Sequence, residues 1–494
     1  MRDHPSPSPL TASSLTQLHP SVTVPTYDRR SLRPAIVHLG VGGFHRAHLA
    51  TYVHELCEQG RSDWAIRGAG VLPTDATMAE VLAAQDHLYT LITRGPDTIE
   101  VDVIGSIVDY LHATPDPAAL VEAIAAPTTQ IVSLTVTEGG YPVDDLTGAH
   151  LADSPNAGAA SAFGLLVAAL ERRRLADGGP LTVLSCDNVI GNGGVARTAT
   201  IGEAHRIGPD LVAWIEQNIS FPNSMVDRIT PATTDSDREW LTTTRGIVDR
   251  WPVVTEPFRQ WVIEDDFAGD RLPIEQLDVL ATSDVEPYEL MKLRLLNASH
   301  SCLAYLSALD GIETVDAALA APHIRAFTQS FLVREAQPVL PPIVGIDVDA
   351  YIGTLLERFA NPSIGDQISR LCLDGTAKFP KFLLPTVRAQ LAAGGAVDLS
   401  ALALAGWCEY LTGPSGGLAG DPQLDEAIQQ AKRSQADPTA FLDFPEVFGA
   451  DLPADQRFVD AFDRSLRLIR ERGVPSAIDA ALEEGRHLDD RAAR

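Results

Sequence analysis

Four residues able to hold or move protons recur at helical spacing in one stretch of the chain: Glu289, Lys292, Asn297 and His300. The run 286–309 reads as one largely apolar helix, with Pro287 in its first turn, where a missing N–H costs nothing. At ~100° per residue the four polar side chains fall within an arc of roughly 140°, on a helix otherwise built mostly from Leu, Ala and Met. An amine on such a surface loses hydration, and its pKa falls toward the ~7–8 that suits a general base. A solvated polar stripe on a surface helix would carry the same residues, since Lys and Glu usually face water.

A second constellation is Gly40-Val41-Gly42-Gly43-Phe44-His45-Arg46, which follows the short apolar run 35–39 and opens a helical pattern. Glycines permit a tight turn and close backbone approach, and a helix N-terminus favours a pyrophosphate. The third glycine of a full G-x-G-x-x-G is replaced by His45, so a merely structural turn stays open as the alternative. Asp75 follows Gly70-Val71-Leu72-Pro73-Thr74, at the end of a second strand. A carboxylate there binds a ribose 2′-OH and repels a 2′-phosphate, which favours NAD over NADP. It also suits the cap of the helix that follows. Arg67 and Arg94 are the residues that would tolerate a phosphate instead.

Asn188 closes Ser185-Cys186-Asp187-Asn188, just beyond a strand at 181–185, where ligands of open α/β sheets bind. A carboxamide can donate to an alkoxide-like oxygen without capturing its proton; an ordinary Asn turn is the plain alternative. His38, His45, His48 and His54 crowd the first strand and helix. They are expected to pack or to hydrogen-bond near the phosphates rather than to hold a metal, for no H-E-x-x-H occurs. No G-x-S-x-G elbow supports serine hydrolase chemistry.

The elements that position these groups divide in two. Residues 1–30 are rich in Ser, Thr and Pro and read as a partly disordered arm. From 31 to 285, strands at 35–39, 64–71, 88–94, 99–108, 130–137 and 181–185 alternate with helices near 45–57, 75–85, 116–125 and 160–173. That alternation predicts a Rossmann-like, doubly wound parallel sheet. From 286 to 494 the texture is helical, with helices expected at 287–309, 313–320, 324–335, 348–359, 363–373, 380–393, 397–412, 423–433 and 453–471. Pro and Gly clusters at 338–345 and 413–422 mark loops. The expected fold is therefore α/β, a dinucleotide-binding domain followed by a mainly helical domain, with the active site between them.

The 494 residues are 45% hydrophobic and 21% charged, a globular composition. A net charge of −28 argues against nucleic acid or an anionic membrane as partner and is indifferent to a neutral polyol. Five separated cysteines without a C-x-x-C pair read as reduced core thiols. With no signal-like start and no long apolar stretch, a cytoplasmic protein is expected.

Several longer motifs in order carry a resemblance that covers nearly the whole chain from about residue 15. They are the glycine turn through His48, Ser133-Leu134-Thr135-Val136-Thr137-Glu138-Gly139-Gly140-Tyr141, Ser185–Asn188, the stretch from Ser220 to Pro231 with Asp227, the Lys292 helix, and Asp374-Gly375-Thr376-Ala377-Lys378-Phe379-Pro380-Lys381-Phe382. With them the chain resembles the polyol-specific long-chain dehydrogenase/reductase family, nearest its mannitol-oxidising members. The resemblance implies a metal-independent, usually monomeric enzyme that interconverts D-mannitol and D-fructose with NAD. It implies Lys292 as general base, Asn188 and Asn297 as an oxyanion hole, His300 orienting hydroxyls and Glu289 gating a proton path. Asp227, Arg370 and Lys378 would hold more distant hydroxyls. Gly40, Gly42, Gly43, Phe44, His45, Arg46, Asp75, Thr137 and Glu138 would meet the cofactor. Arg294 stands where a smaller residue can occur, and the region 145–160 is short for the family. Fructuronate or tagaturonate reduction, arabinitol oxidation and a sensor that binds NAD(H) without turnover are the competing readings.

Overall fold

The computed structural model describes residues 7–114, 116–144, 147–414, 421 and 423–492. It divides into two units, Met1–Glu286 and Pro287–Arg494.

The first unit is built on six parallel strands: β1 Arg33–Leu39, β2 Trp64–Gly70, β3 Ile107–His112, β4 Ile131–Leu134, β5 Leu181–Ser185 and β6 Ile219–Ser220. Their spatial order is β3-β2-β1-β4-β5-β6, the doubly wound arrangement. The inner strands are buried almost without a break because both faces are covered. Ile36, Ile66 and Ile131 enter one core, while Val37, Leu39, Val132 and Leu134 enter the core on the opposite face. The chain reverses its direction of travel across the sheet between β1 and β4, which pair from Ile36↔Ile131 to Leu39↔Leu134. A crevice opens beyond the carboxyl ends of strands at such a point.

Two expectations need correction in this unit. The strand expected at 99–108 is two strands. Ile99–Ile104 pairs antiparallel with Tyr89–Arg94 in a separate three-stranded sheet, and β3 joins the main sheet only after Gly105 and Ser106. The arm is also ordered from residue 7 onward. Ser8–Pro9 pairs with Ile247–Val248, Thr23 bridges Asp102, and Leu10 is fully buried. Backbone pairing and one buried leucine anchor a segment that composition alone marks as loose. Residues 1–6 of the arm lie outside the described residues.

The second unit is helical. Asp398–Thr412 is its hub, buried along nearly its whole length and packed on Ala298–Leu309 and on the last helical run, Gln456–Ala492, which breaks at Gly473. Trp407 sits 4.9 Å from Phe379 and 5.0 Å from Phe441, centroid to centroid, in an aromatic cluster. The buried Glu335 carboxylate accepts from the N–H groups of Leu399 and Ser400, at 2.7 and 2.8 Å, and so satisfies the first turn of the hub. The helix expected over 380–393 is instead two helices, Gly375–Phe382 and Leu384–Ala393, with Pro380 inside the first and Pro385 in the first turn of the second. Within 363–373 only Ile368–Leu371 is helical. Of the expected loop 413–422, residues 415–420 and 422 lie outside the described residues.

Candidate active site

The first unit holds a cleft of about 1070 Å³ beyond the ends of β1, β2 and β4. Its floor is the glycine turn. Gly40 has φ +92°, and a Cβ there would lie 2.1 Å from the Thr135 carbonyl oxygen, so only glycine fits. Gly42 caps the helix Gly43–Ala47, and a Cβ on it would meet no heavy atom within 4 Å. The Gly40 and Gly42 amides are engaged within the turn, by the carbonyls of Ala69 at 2.9 Å and Gly40 at 2.8 Å, so what the turn offers a pyrophosphate is open space and the start of the helix Gly43–Ala47.

The place of the third glycine is filled by packing. The His45 ring stacks on His38 of β1 at 3.4 Å, and His38 is fixed by Ser133 Oγ at 2.8 Å and Thr135 Oγ1 at 2.9 Å. Burial lowers the pKa of His38 to about 3 and of His48 to about 3, and drives His45 far below its usual value. These imidazoles are neutral packing groups. Arg46 is buried as well and donates to the Trp251 carbonyl at 2.5 Å.

Asp75 lines the same cleft, and its carboxylate accepts the Leu72 N–H at 2.8 Å, so it caps the short 3-10 turn Pro73–Asp75; the side-chain cap expected on the helix that follows, Ala76–Ala84, is not made. Gly70 makes room for it, since a Cβ there would lie 2.4 Å from the Asp75 Cβ and from the Tyr110 hydroxyl. Arg67 pairs with Asp109 and Arg94 with Asp237, both at 2.8 Å, and neither lines the cleft. Of the residues expected to meet a cofactor, Gly40, Gly42, Gly43, Phe44, Arg46, Asp75 and Thr137 line it, whereas His45 and Glu138 do not. Sequence reasoning missed the walls from Pro155 to Ala162, from Thr230 to Thr233, and at Trp251. Only the Ser-Pro-Asn and Thr-Pro clusters hinted at loops there.

Thr137 carries backbone strain. Its φ of +65° and ψ of 166° lie in a region that essentially only glycine populates, at a cost on the order of 1–3 kcal/mol. Beside it, Asn188 follows Asp187 in the turn after β5. Asn192, fully buried, donates to the carbonyls of Asp187 and Ser224 at 3.0 and 2.7 Å and accepts the Ser224 N–H at 2.9 Å. One side chain thus ties the Asn188 turn to the strand Ser224–Asp227, whose last residue is buried.

In the second unit the Lys292 stretch departs from the expected regular helix. It runs as Glu286–Lys292, then a π-helical segment Leu293–Asn297, then Ala298–Leu309. The Ala298 N–H reaches back to the Leu293 carbonyl, five residues earlier. Hydroxyls take up carbonyls that the wider turn releases: Ser299 donates to Leu295 and Leu296, and Ser301 to Asn297. The extra residue in the turn rotates Asn297 and His300 back toward Lys292, so the polar face is narrower than a regular helix would give. Glu289 and His300 are buried, Lys292 and Asn297 half-buried. Asn297 Oδ1 is itself buried and has no hydrogen-bond partner among the described residues. The His300 ring stacks on Phe359 at 4.1 Å.

The helix Gly375–Phe382, which bears Lys378, packs on the π segment, and Ile368–Leu371, which bears Arg370, packs on Ala298–Leu309. Lys378 Nζ donates to the Leu371 carbonyl at 3.3 Å. Arg370 is engaged by both carboxylate oxygens of Asp366, at 2.8 and 2.6 Å. The fold of the second unit thus gathers the elements of every residue expected there.

Two family models match the chain: the mannitol dehydrogenase Rossmann domain over residues 34–276 and the mannitol dehydrogenase C-terminal domain over residues 284–470. Mannitol 2-dehydrogenase of Cereibacter sphaeroides is 45% identical, over 93% of this chain and 98% of that protein. The Phaeosphaeria nodorum mannitol 2-dehydrogenase is 42% identical, over 97% and 86%. The solved structure of Pseudomonas fluorescens mannitol 2-dehydrogenase, in ternary complex with NAD and D-mannitol, is 40% identical with a TM-score of 0.88, over 96% of this chain and 100% of that one. A substrate-free D-sorbitol dehydrogenase structure is 35% identical with a TM-score of 0.85, over 95% and 100%.

Proposed function

The chain belongs to the mannitol dehydrogenase family, and on that premise we propose that it interconverts D-mannitol and D-fructose by hydride transfer at C2, with NAD as cofactor. The observation that carries the reading is the cleft of the first unit. A bare glycine turn at the switch point of a doubly wound sheet, with the Asp75 carboxylate on its wall, fits an adenine dinucleotide without a 2′-phosphate.

The glycine turn and Asp75 would hold NAD, which would supply the hydride acceptor for oxidation and, in its reduced form, the donor for reduction. Lys292, as a neutral amine, accepts the proton of the C2 hydroxyl; reduction runs the same transfer backward. Asn188 and Asn297 donate to the C2 oxygen as its charge grows, and each donor contributes ~3 kcal/mol where water is excluded. The partnerless Asn297 oxygen supports an amide whose second partner is a substrate group. His300, held by Phe359, orients neighbouring hydroxyls, and Glu289 passes the proton onward. Asp227, Arg370 and Lys378 hold the distal hydroxyls. An amine base and two carboxamide donors make a metal unnecessary in this scheme. Five free, buried thiols support a reducing, cytoplasmic setting, and the family resemblance supports a monomer.

Asp366 takes the Nε and Nη2 edge of Arg370 and balances its charge, which favours a neutral polyol over an anionic hexuronate. The D-sorbitol relative makes sorbitol the second substrate to test. Cofactor turnover should be measured with fructose and fructuronate against NADH, and with mannitol, sorbitol and arabinitol against NAD. The highest kcat/KM is expected for the mannitol–fructose pair; a preference for fructuronate overturns the assignment.

A further inference from the structure

Thr137 holds a positive φ that the nearby glycines do not take up. Glycine stands two and three residues later, at 139 and 140, yet the strained position itself holds a β-branched residue. Such a conformation persists only where the surroundings over-determine it. Here the Thr137 carbonyl accepts the Gly140 N–H at 3.0 Å, and its N–H is held by one carboxylate. Asp187 accepts the Thr137 N–H at 2.8 Å on Oδ1 and the Val136 N–H at 3.1 Å on Oδ2. The Tyr141 hydroxyl donates to the same Oδ2 at 2.7 Å and lies 2.7 Å from Ser185 Oγ. Asp187 and Tyr141 are both buried. Burial, with a smaller push from the Glu138 charge, raises the Asp187 pKa, and these three donors offset that rise only in part, so the ionised carboxylate depends on the loop it holds.

We infer that Asp187 is a positioning residue of the cofactor site: its carboxylate clamps Thr137 in a glycine-like backbone conformation and so shapes one wall of the cleft. The inference rests on the reading of that cleft as an NAD site. Because Asp187 directly precedes Asn188, the clamp also joins the cofactor wall to the turn that carries the proposed oxyanion donor.

The claim makes a specific demand. If Asp187 acts by holding Thr137 against its own preference, its value must shrink when residue 137 no longer resists. NADH dissociation constants from fluorescence titration are compared for the wild type, Asp187→Asn, Thr137→Gly and the double variant, each checked for folding by circular dichroism. Asp187→Asn is expected to weaken NADH binding about tenfold in the wild-type background, and less than about threefold in the Thr137→Gly background. An equal loss in both backgrounds overturns the clamp, because a merely structural carboxylate does not sense residue 137. No loss in either background overturns it too. Should Asp187→Asn fail to fold, Tyr141→Phe removes a single donor and carries the same test, with a smaller loss that Thr137→Gly again suppresses. A wild type that binds no NADH removes the NAD reading and the inference together; a wild type that binds NADH with additive variants removes the inference alone.

Discussion

The glycine turn at 40–43 and the helix that carries Lys292 offer chemistry by opposite means. The turn presents backbone: Gly40 and Gly42 have no side chains, so a ligand can approach the chain and the start of the helix that follows, and everything around them is packing. The helix presents side chains, because its amides and carbonyls are consumed within it, and its single irregularity is a π turn between Lys292 and Asn297. A ligand bound by backbone needs only that the chain be held in one path. A ligand worked on by side chains needs each group aimed, and here the aim depends on how the helix is wound.

Removing the amine separates these two modes most sharply. Lys292→Ala is expected to lower kcat by orders of magnitude while the NADH dissociation constant stays within about threefold. A matching loss of NADH affinity would mean that the helix, too, serves the cofactor. Asn297→Ala should cost ~10²–10³ in kcat with KM little changed, as for other oxyanion donors. A change confined to KM would reduce Asn297 to ordinary substrate binding.

The support beneath the turn can be attacked through pH. His38 has its pKa lowered by burial from 6.5 to about 3, so the unfolded chain takes up its proton first. Stability is complete above pH 6.5 and is lost as pH falls toward 3, by about 1.4 kcal/mol per pH unit for each such histidine. His48 adds to this in the same window. The thermal midpoint should therefore fall between pH 6.5 and 5; replacing His38 by Gln should flatten that fall, and an unchanged slope would acquit the histidine. The smallest effect is expected at Asp75. Asp75→Ala should relax the preference for NAD over NADP about tenfold, and an unaltered ratio would leave the residue the cap of a 3-10 turn only.

The same contrast explains what could be read from the chain alone. A backbone site is written in residue types, since positive φ and close approach leave only glycine, and so the turn after β1 was legible. The strand alternation placed it correctly at the switch of the sheet. Residue types also disclosed the polar stripe of Glu289, Lys292, Asn297 and His300. No residue type encodes a π turn, however; the Ser299 and Ser301 hydroxyls bond carbonyls within and beside it, and a second π segment, Leu332–Ala336, packs against it. The split between Ile99–Ile104 and β3 did leave a trace, since Gly105 and Ser106 are poor strand formers, but a two-residue break between apolar runs is easily read as a bulge within one strand. The cleft walls at Pro155–Ala162 and Thr230–Thr233 come from loops whose composition names no chemistry. Asp227, Arg370 and Lys378 entered through family resemblance, as isolated charged residues that no spacing rule connects.

One measurement bears on the whole account. The full chain is incubated with fructose and NADH carrying deuterium at C4 of the nicotinamide, and the product is examined by mass spectrometry and NMR. The account expects mannitol with the label at C2, formed as NADH is consumed. NADH that is bound yet never consumed with fructose, or a product labelled at any other carbon, would contradict it.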